Sequence, residues 1–94
     1  MVIGYLSLEF FFPYCRSLKD KRQIVKSFKE RIKKKYNVVV AELDYQDKWQ
    51  RTQIGIVTLN SQPTIVEDRL NKILAEARGN VPEAELLQYE TRYF

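Results

Sequence analysis

Leu6-Ser7-Leu8-Glu9-Phe10-Phe11-Phe12-Pro13, followed shortly by Ser17-Leu18-Lys19-Asp20-Lys21-Arg22, is the stretch on which the fold turns. Leu6, Leu8, Phe10 and Phe12 share one parity, and Ile3, Tyr5, Ser7, Glu9 and Phe11 share the other. Period two with aliphatic and aromatic residues on the even face predicts a strand over Val2 to Phe12, half buried on that face. Pro13 ends it, because proline has no N–H to give a ladder. Ser17 then opens a helix, with Asp20 standing where a capping box usually has glutamate. Leu18, Ile24, Val25, Phe28 and Ile32 fall on one side at 3.6 residues per turn, so the helix should run to about Lys35, with Asn37 as its stop.

Outward from there the punctuation continues. Val38-Val39-Val40-Ala41 is β-branched and predicts a second strand. Leu43 and Tyr45 change parity relative to Val38 and Val40, so the strand either buries both faces at its start or carries a bulge near Ala41 and Glu42. Tyr45 to Arg51 reads as a hairpin connection, and Thr52 to Asn60 as a third strand. Pro63 lies in the first turn of a second helix, where its missing N–H costs nothing. Val66, Leu70, Ile73, Leu74 and Ala77 repeat along that helix, and Gly79-Asn80 is the expected left-handed stop. Leu87, Tyr89, Thr91 and Tyr93 alternate with Gln88, Glu90 and Arg92, predicting a fourth, half-buried strand. The order is βαββαβ. Residues 1–94 therefore read as a single α+β domain of ferredoxin-like topology: a four-stranded antiparallel sheet, order 4-1-3-2, with both helices on one face.

Composition excludes several chemistries. There is no histidine, which removes the commonest general base and metal ligand. The lone cysteine, Cys15, can form neither an internal disulfide nor a thiolate zinc site, and reads as a loop thiol. Gly4, Gly55 and Gly79 are scattered and form no phosphate loop. No apolar run approaches the roughly 20 residues of a membrane span. The first residues lack a basic leader and cleavage site, so the expected location is the cytoplasm. Glu42, Asp44 and Asp47 gather near the second strand. Glu42 and Asp44 would share a face in a regular strand and could hold a metal, although a solvated polar strand end is the expected reading, with no metal and no cofactor. Trp49, in the hairpin, is either a binding anchor or a lid folded over the sheet end.

Charge is the informative asymmetry. Arg16 to Lys35 holds ten basic and two acidic residues, a local +8 in a chain whose net charge is +4. On an ideal helix Lys19, Arg22, Lys26, Lys29 and Lys33 fall within about 80° of arc, on the solvent flank of the apolar face. Arg16 and Lys21 lie beside this stripe. Cations at the N-terminal end oppose the helix dipole, an arrangement that suits an awaited anion.

Ser17-Leu18-Lys19-Asp20-Lys21-Arg22 with Val25-Lys26-Ser27 resembles the opening of the YlxP-like family of small bacterial proteins. Tyr36 to Glu42, Gln46 to Arg51 with Gly55, and Ala84-Glu85-Leu86-Leu87 resemble the rest of it. That resemblance implies the same fold. It brings no established activity, but the family's genes often lie among those for translation and ribosome maturation, which suggests a ribosomal or other structured RNA as partner. The leading expectation is a non-enzymatic RNA-binding or ribosome-assembly-associated module. Phosphates would be held by Arg16, Lys19, Lys21, Arg22, Lys26, Lys29 and Lys33. The alternative is a self-associating scaffold or regulatory domain, a homodimer meeting through Ile3, Tyr5, Val57 and Leu59 on the open sheet face, with Trp49 as a further contact. A metal-dependent enzyme built on the three carboxylates is the third reading.

Overall fold

The computed structural model describes every residue except Asn80, Pro82 and Glu83. Six elements follow in order: β1 (Val2–Phe11), α1 (Leu18–Lys35), β2 (Val39–Asp44), β3 (Arg51–Asn60), α2 (Pro63–Gly79) and β4 (Glu85–Tyr93). The sheet order is β2-β3-β1-β4 with every pair antiparallel, the expected order viewed from the other edge. Both crossover helices cover one face. There Leu6, Leu8 and Phe10 of β1, with Phe12 just beyond it, meet Ile54 and Ile56 of β3, Val25, Phe28 and Ile32 of α1, and Val66, Leu70 and Ile73 of α2. Phe10 packs edge-on to Phe28 with ring centroids 5.6 Å apart. α2 approaches β1 so closely that a Cβ at Gly4 would sit 2.5 Å from Val66 Cγ1, so only glycine leaves room for the helix there.

The helix starts are built as their sequences require. The Ser17 hydroxyl accepts from the Asp20 N–H at 3.1 Å, and Asp20 reaches back to the Arg16 N–H at 3.2 Å, one residue beyond the usual capping-box donor. α2 begins at Pro63. It runs through Gly79 without a positive φ, so Gly79 is not the left-handed stop expected of it, and Asn80 lies outside the described residues.

Two bulges depart from the regular pattern. In β2 the register shifts between Glu42 and Asp44, one residue past the expected place. In β4 it shifts so that Phe10 pairs with Leu86 while Glu9 pairs with Gln88. β4 is also not half buried as its alternation suggested: Leu86 packs on the core, while the remaining residues of the strand are exposed. β4 is an edge strand, and α2 packs chiefly on β1 and β3, so the helix layer does not reach across it.

Candidate functional site

The face of α1 turned away from the core carries the basic stripe. Lys19, Arg22, Lys26 and Lys33 are exposed and Lys29 is half-buried. Arg22, Lys26, Lys29 and Lys33 line a groove of about 310 Å³ between α1 and the β2 edge, with Val25, Glu30 and Glu42 completing its wall. Four cations thus flank one channel along about 17 Å of helix. Lys19 stands one turn before it and Arg16 is exposed in the preceding loop.

Lys21 does not belong to this surface. Its side chain is 0% exposed, and Nζ donates to Glu42 Oε2 at 3.0 Å and to the carbonyls of Tyr45 at 2.6 Å, Arg51 at 3.2 Å and Gln46 at 3.4 Å. The expectation that Lys21 contacts phosphate is therefore corrected: it is an internal clamp. The signal was in the sequence. Lys21, Val25, Phe28 and Ile32 follow helical spacing and are the buried residues of α1, so Lys21 sits in the middle of the apolar face, not beside the stripe. At the start of α1 the Asp20 N–H is taken by the Ser17 hydroxyl, and the Asp20 carboxylate turns back to the Arg16 N–H just ahead of the helix.

The clamp explains the hairpin. Tyr45 holds a positive φ of 63°, rare for a residue with a side chain, and its carbonyl is the nearest of Lys21's acceptors. Gln50 donates from Nε2 to the carbonyls of Pro13 at 3.4 Å and Cys15 at 3.5 Å, tying the hairpin to the loop before α1. Cys15, within that loop, is buried. Arg51 Nη2 bonds Glu9 Oε2 at 2.6 Å and stacks over Tyr45, 5.3 Å from its ring centroid. That bond outweighs burial and holds the Glu9 carboxyl below its usual range. Trp49 is 46% exposed and lines a shallow cleft with Phe11, Tyr45, Lys48, Gln50 and Arg51.

The carboxylates do not form a pair. The β2 bulge places Glu42 opposite Ile54 on the core side and Asp44 opposite Gln53 on the open side. Glu42 accepts from Lys21 and from the Thr52 hydroxyl, Asp44 accepts from the Tyr45 N–H at 2.7 Å, and Asp47 is exposed in the turn. Among the described residues no three acidic or cysteine side chains converge as metal ligands.

The open sheet face is divided. Ile3 pairs with Leu59, and Tyr5 with Val57, which also faces Val39, giving an apolar end. Leu43 folds over Gly55 beside Tyr5, where a Cβ would collide with it at 2.6 Å. At the other end Ser7 and Glu9 are buried under Gln53 and Arg51, so this half is not uncovered. Trp49 lies beyond the Arg51 end of β3, a strand that spans about 26 Å from Arg51 to Leu59, and does not join the apolar patch.

A four-stranded antiparallel sheet with both crossover helices on one face defines the class: a small split-βαβ, ferredoxin-like domain with a basic helix flank. The chain belongs to the family described as "Protein of unknown function (DUF503)", which matches residues 3–91. It is 36% identical over 93 residues to the uncharacterized protein YlxP of Bacillus subtilis (strain 168), covering 99% of this chain and all of that one. Among solved structures it is similar to two de novo designed proteins. One is LFR1 1, with a ferredoxin fold (TM-score 0.58, 15% identity, 98% of this chain and 86% of that one). The other is Foldit4 (TM-score 0.56, 14% identity, 100% and 97%). These likenesses concern the fold alone. No helix among the described residues is long and apolar enough to cross a membrane.

Proposed function

We propose that the chain is a non-enzymatic module that binds structured RNA through the α1 flank, in the setting of ribosome assembly. The observation that carries this reading is the groove in which Arg22, Lys26, Lys29 and Lys33 lie in one row, with Lys19 and Arg16 extending it. Cations in a row suit a phosphate backbone, whose contacts position a protein without reading sequence. Base stacking on the sheet is unsupported, since Arg51 to Asn60 contains no aromatic. The division of Glu42 from Asp44, and the engagement of Glu42 by Lys21, support a non-catalytic role.

If about five cations neutralise phosphates, log K against log salt should have a slope of about −3.5 to −4.5. Lys26→Glu with Lys29→Glu should weaken binding to an RNA hairpin strongly and leave the circular dichroism unchanged. Lys34→Glu alters charge equally per residue but sits outside the groove, and should matter less. Equal losses per residue, or no RNA binding at low salt, would remove the reading.

A second reading, a self-associating scaffold or regulatory domain, is favoured by the exposed apolar end of the open face: Val39 is 69% and Leu59 58% exposed.

A further inference from the structure

The outer edge of β4 carries a short segment, Tyr89-Glu90-Thr91-Arg92-Tyr93, whose chemistry reads the same from either end with charge reversed. Its backbone is open to pairing. Ile3 and Phe94 exchange both backbone bonds, at 2.9 and 2.8 Å. Antiparallel ladders alternate, so Arg92 opposite Tyr5 and Glu90 opposite Ser7 also spend their N–H and C=O groups on β1. The N–H and C=O groups of Tyr89, Thr91 and Tyr93 therefore point outward. The β4 bulge lies beyond Gln88, so this pattern is unbroken across the segment. The side chains are equally available: Tyr89 and Tyr93 are exposed on the helix side, with the Arg78 guanidinium over Tyr89, 5.0 Å from its ring.

We infer that β4 pairs with β4 of a second copy of this chain, antiparallel about Thr91, to make a continuous eight-stranded sheet. In this register Thr91 faces Thr91 and each Tyr89 faces a Tyr93 of the other copy, giving about six new backbone bonds from outward groups alone. Each Glu90 then faces an Arg92 on the open side. The two neighbouring registers that use the same outward groups are opposed by charge: one sets Glu90 against Glu90, the other Arg92 against Arg92. Within the monomer Arg92 already bonds Glu90 at 2.6 Å, so pairing joins two such ion pairs into a four-charge network on one side of the seam. The other sheet edge is poorly suited to the same role. β2 has six residues, is bulged at Leu43, and runs beside the basic groove, three features that discourage edge pairing. The inference stands apart from the RNA reading, and it places self-association on β4 instead of on the patch at Val57 and Leu59.

Light scattering across the micromolar range should give a mass of twice 11.2 kDa. Arg92→Glu alone and Glu90→Arg alone each set like charges across the seam and should halve the mass. The double reversal, Glu90→Arg with Arg92→Glu, restores complementarity and should restore the dimer. Thr91→Pro removes an outward N–H without touching the ladder to β1 and should also yield monomer. Hydrogen exchange on the unaltered chain needs no variant: the Tyr89, Thr91 and Tyr93 amides should exchange slowly when concentrated and quickly on dilution. A monomer throughout that range, a dimer indifferent to both single reversals, or a dimer dissociated by Val57→Asp but not by Arg92→Glu would overturn the inference.

Discussion

Lys21 holds four oxygen acceptors around one ammonium, three of them backbone carbonyls of the β2–β3 hairpin. A compact point charge can satisfy converging acceptors in this way, whereas the planar guanidinium of arginine spreads its donors in a fork. Lys21→Met keeps the apolar stem but removes the cation from Glu42, which keeps the Thr52 hydroxyl, and the ammonium from the three carbonyls, of which Tyr45's keeps the Lys48 N–H. Breaking a buried pair from one side costs about 3 kcal/mol or more. The expected outcome is a clear fall in the urea midpoint, with Lys21→Arg destabilised as well. The double variant Lys21→Met with Glu42→Leu should recover only part of the loss, because the carbonyls of Gln46 and Arg51 lose the ammonium and that of Tyr45 is left with the Lys48 N–H. Full recovery would mean that the carbonyl contacts contribute little. One residue thus accounts for why a lysine, and not another leucine, stands at the centre of an apolar helix face. Helical spacing placed it there, but its acceptors lie 21 to 30 residues away in β2 and the hairpin after it, which periodicity along α1 cannot reveal.

Elements were legible wherever one face met the core and obscure where tertiary context decided. The even face of β1 and the apolar side of α1 were readable because burial imposes their periods. The alternation of β4 gave the right element and the wrong burial, since whether a helix covers an edge strand depends on where α2 packs and not on the strand's own sequence. The pairing of Glu42 with Asp44 failed for a similar reason: a single bulged residue turns every side chain beyond it to the other face.

The contact between the two helices was also invisible in the sequence. Glu76 of α2 is buried and accepts from Lys35 Nζ and from the Tyr36 hydroxyl, each at 2.9 Å, with Arg31 Nε at 3.5 Å. Burial pushes the Glu76 carboxyl up, but these bonds and charges together hold it below the ordinary value. The Tyr36 phenol is pushed up by burial and by its bond to Glu76. Glu76 and Glu9 both bind protons more weakly folded than unfolded. Their contribution is therefore present above the unfolded carboxyl value of about 4.3 and is lost as pH falls through the folded values. Tyr36 acts in the opposite direction at the alkaline end. Urea midpoints should fall on acidification below about pH 4.3, and Glu76→Gln should lower the neutral-pH midpoint while flattening that acid slope. An unchanged slope in the variant would assign acid sensitivity to other carboxylates.

At the scale of the whole molecule, the basic groove and the β4 edge lie on opposite margins of the sheet. A dimer joined through β4 sets its two β2 edges about 34 Å apart, seven strand spacings of about 4.8 Å. The two α1 grooves then face outward at the ends of one long sheet, with both helix layers on the same side. A short RNA hairpin, smaller than that span, can occupy one groove only, so its affinity should be the same for the dimer and for Thr91→Pro, which changes no charge. An RNA long enough to reach both grooves gains from the second as an intramolecular event, and dissociating the dimer removes that gain. The expected result is a Thr91→Pro variant with unchanged affinity and salt slope on the short hairpin and weaker binding on the long one. Titrating both RNAs at one salt concentration, at protein concentrations where the unaltered chain is dimeric, makes the comparison direct. Equal weakening on both RNAs would place β4 itself in the RNA contact, and equal affinity on both would mean that each groove acts alone.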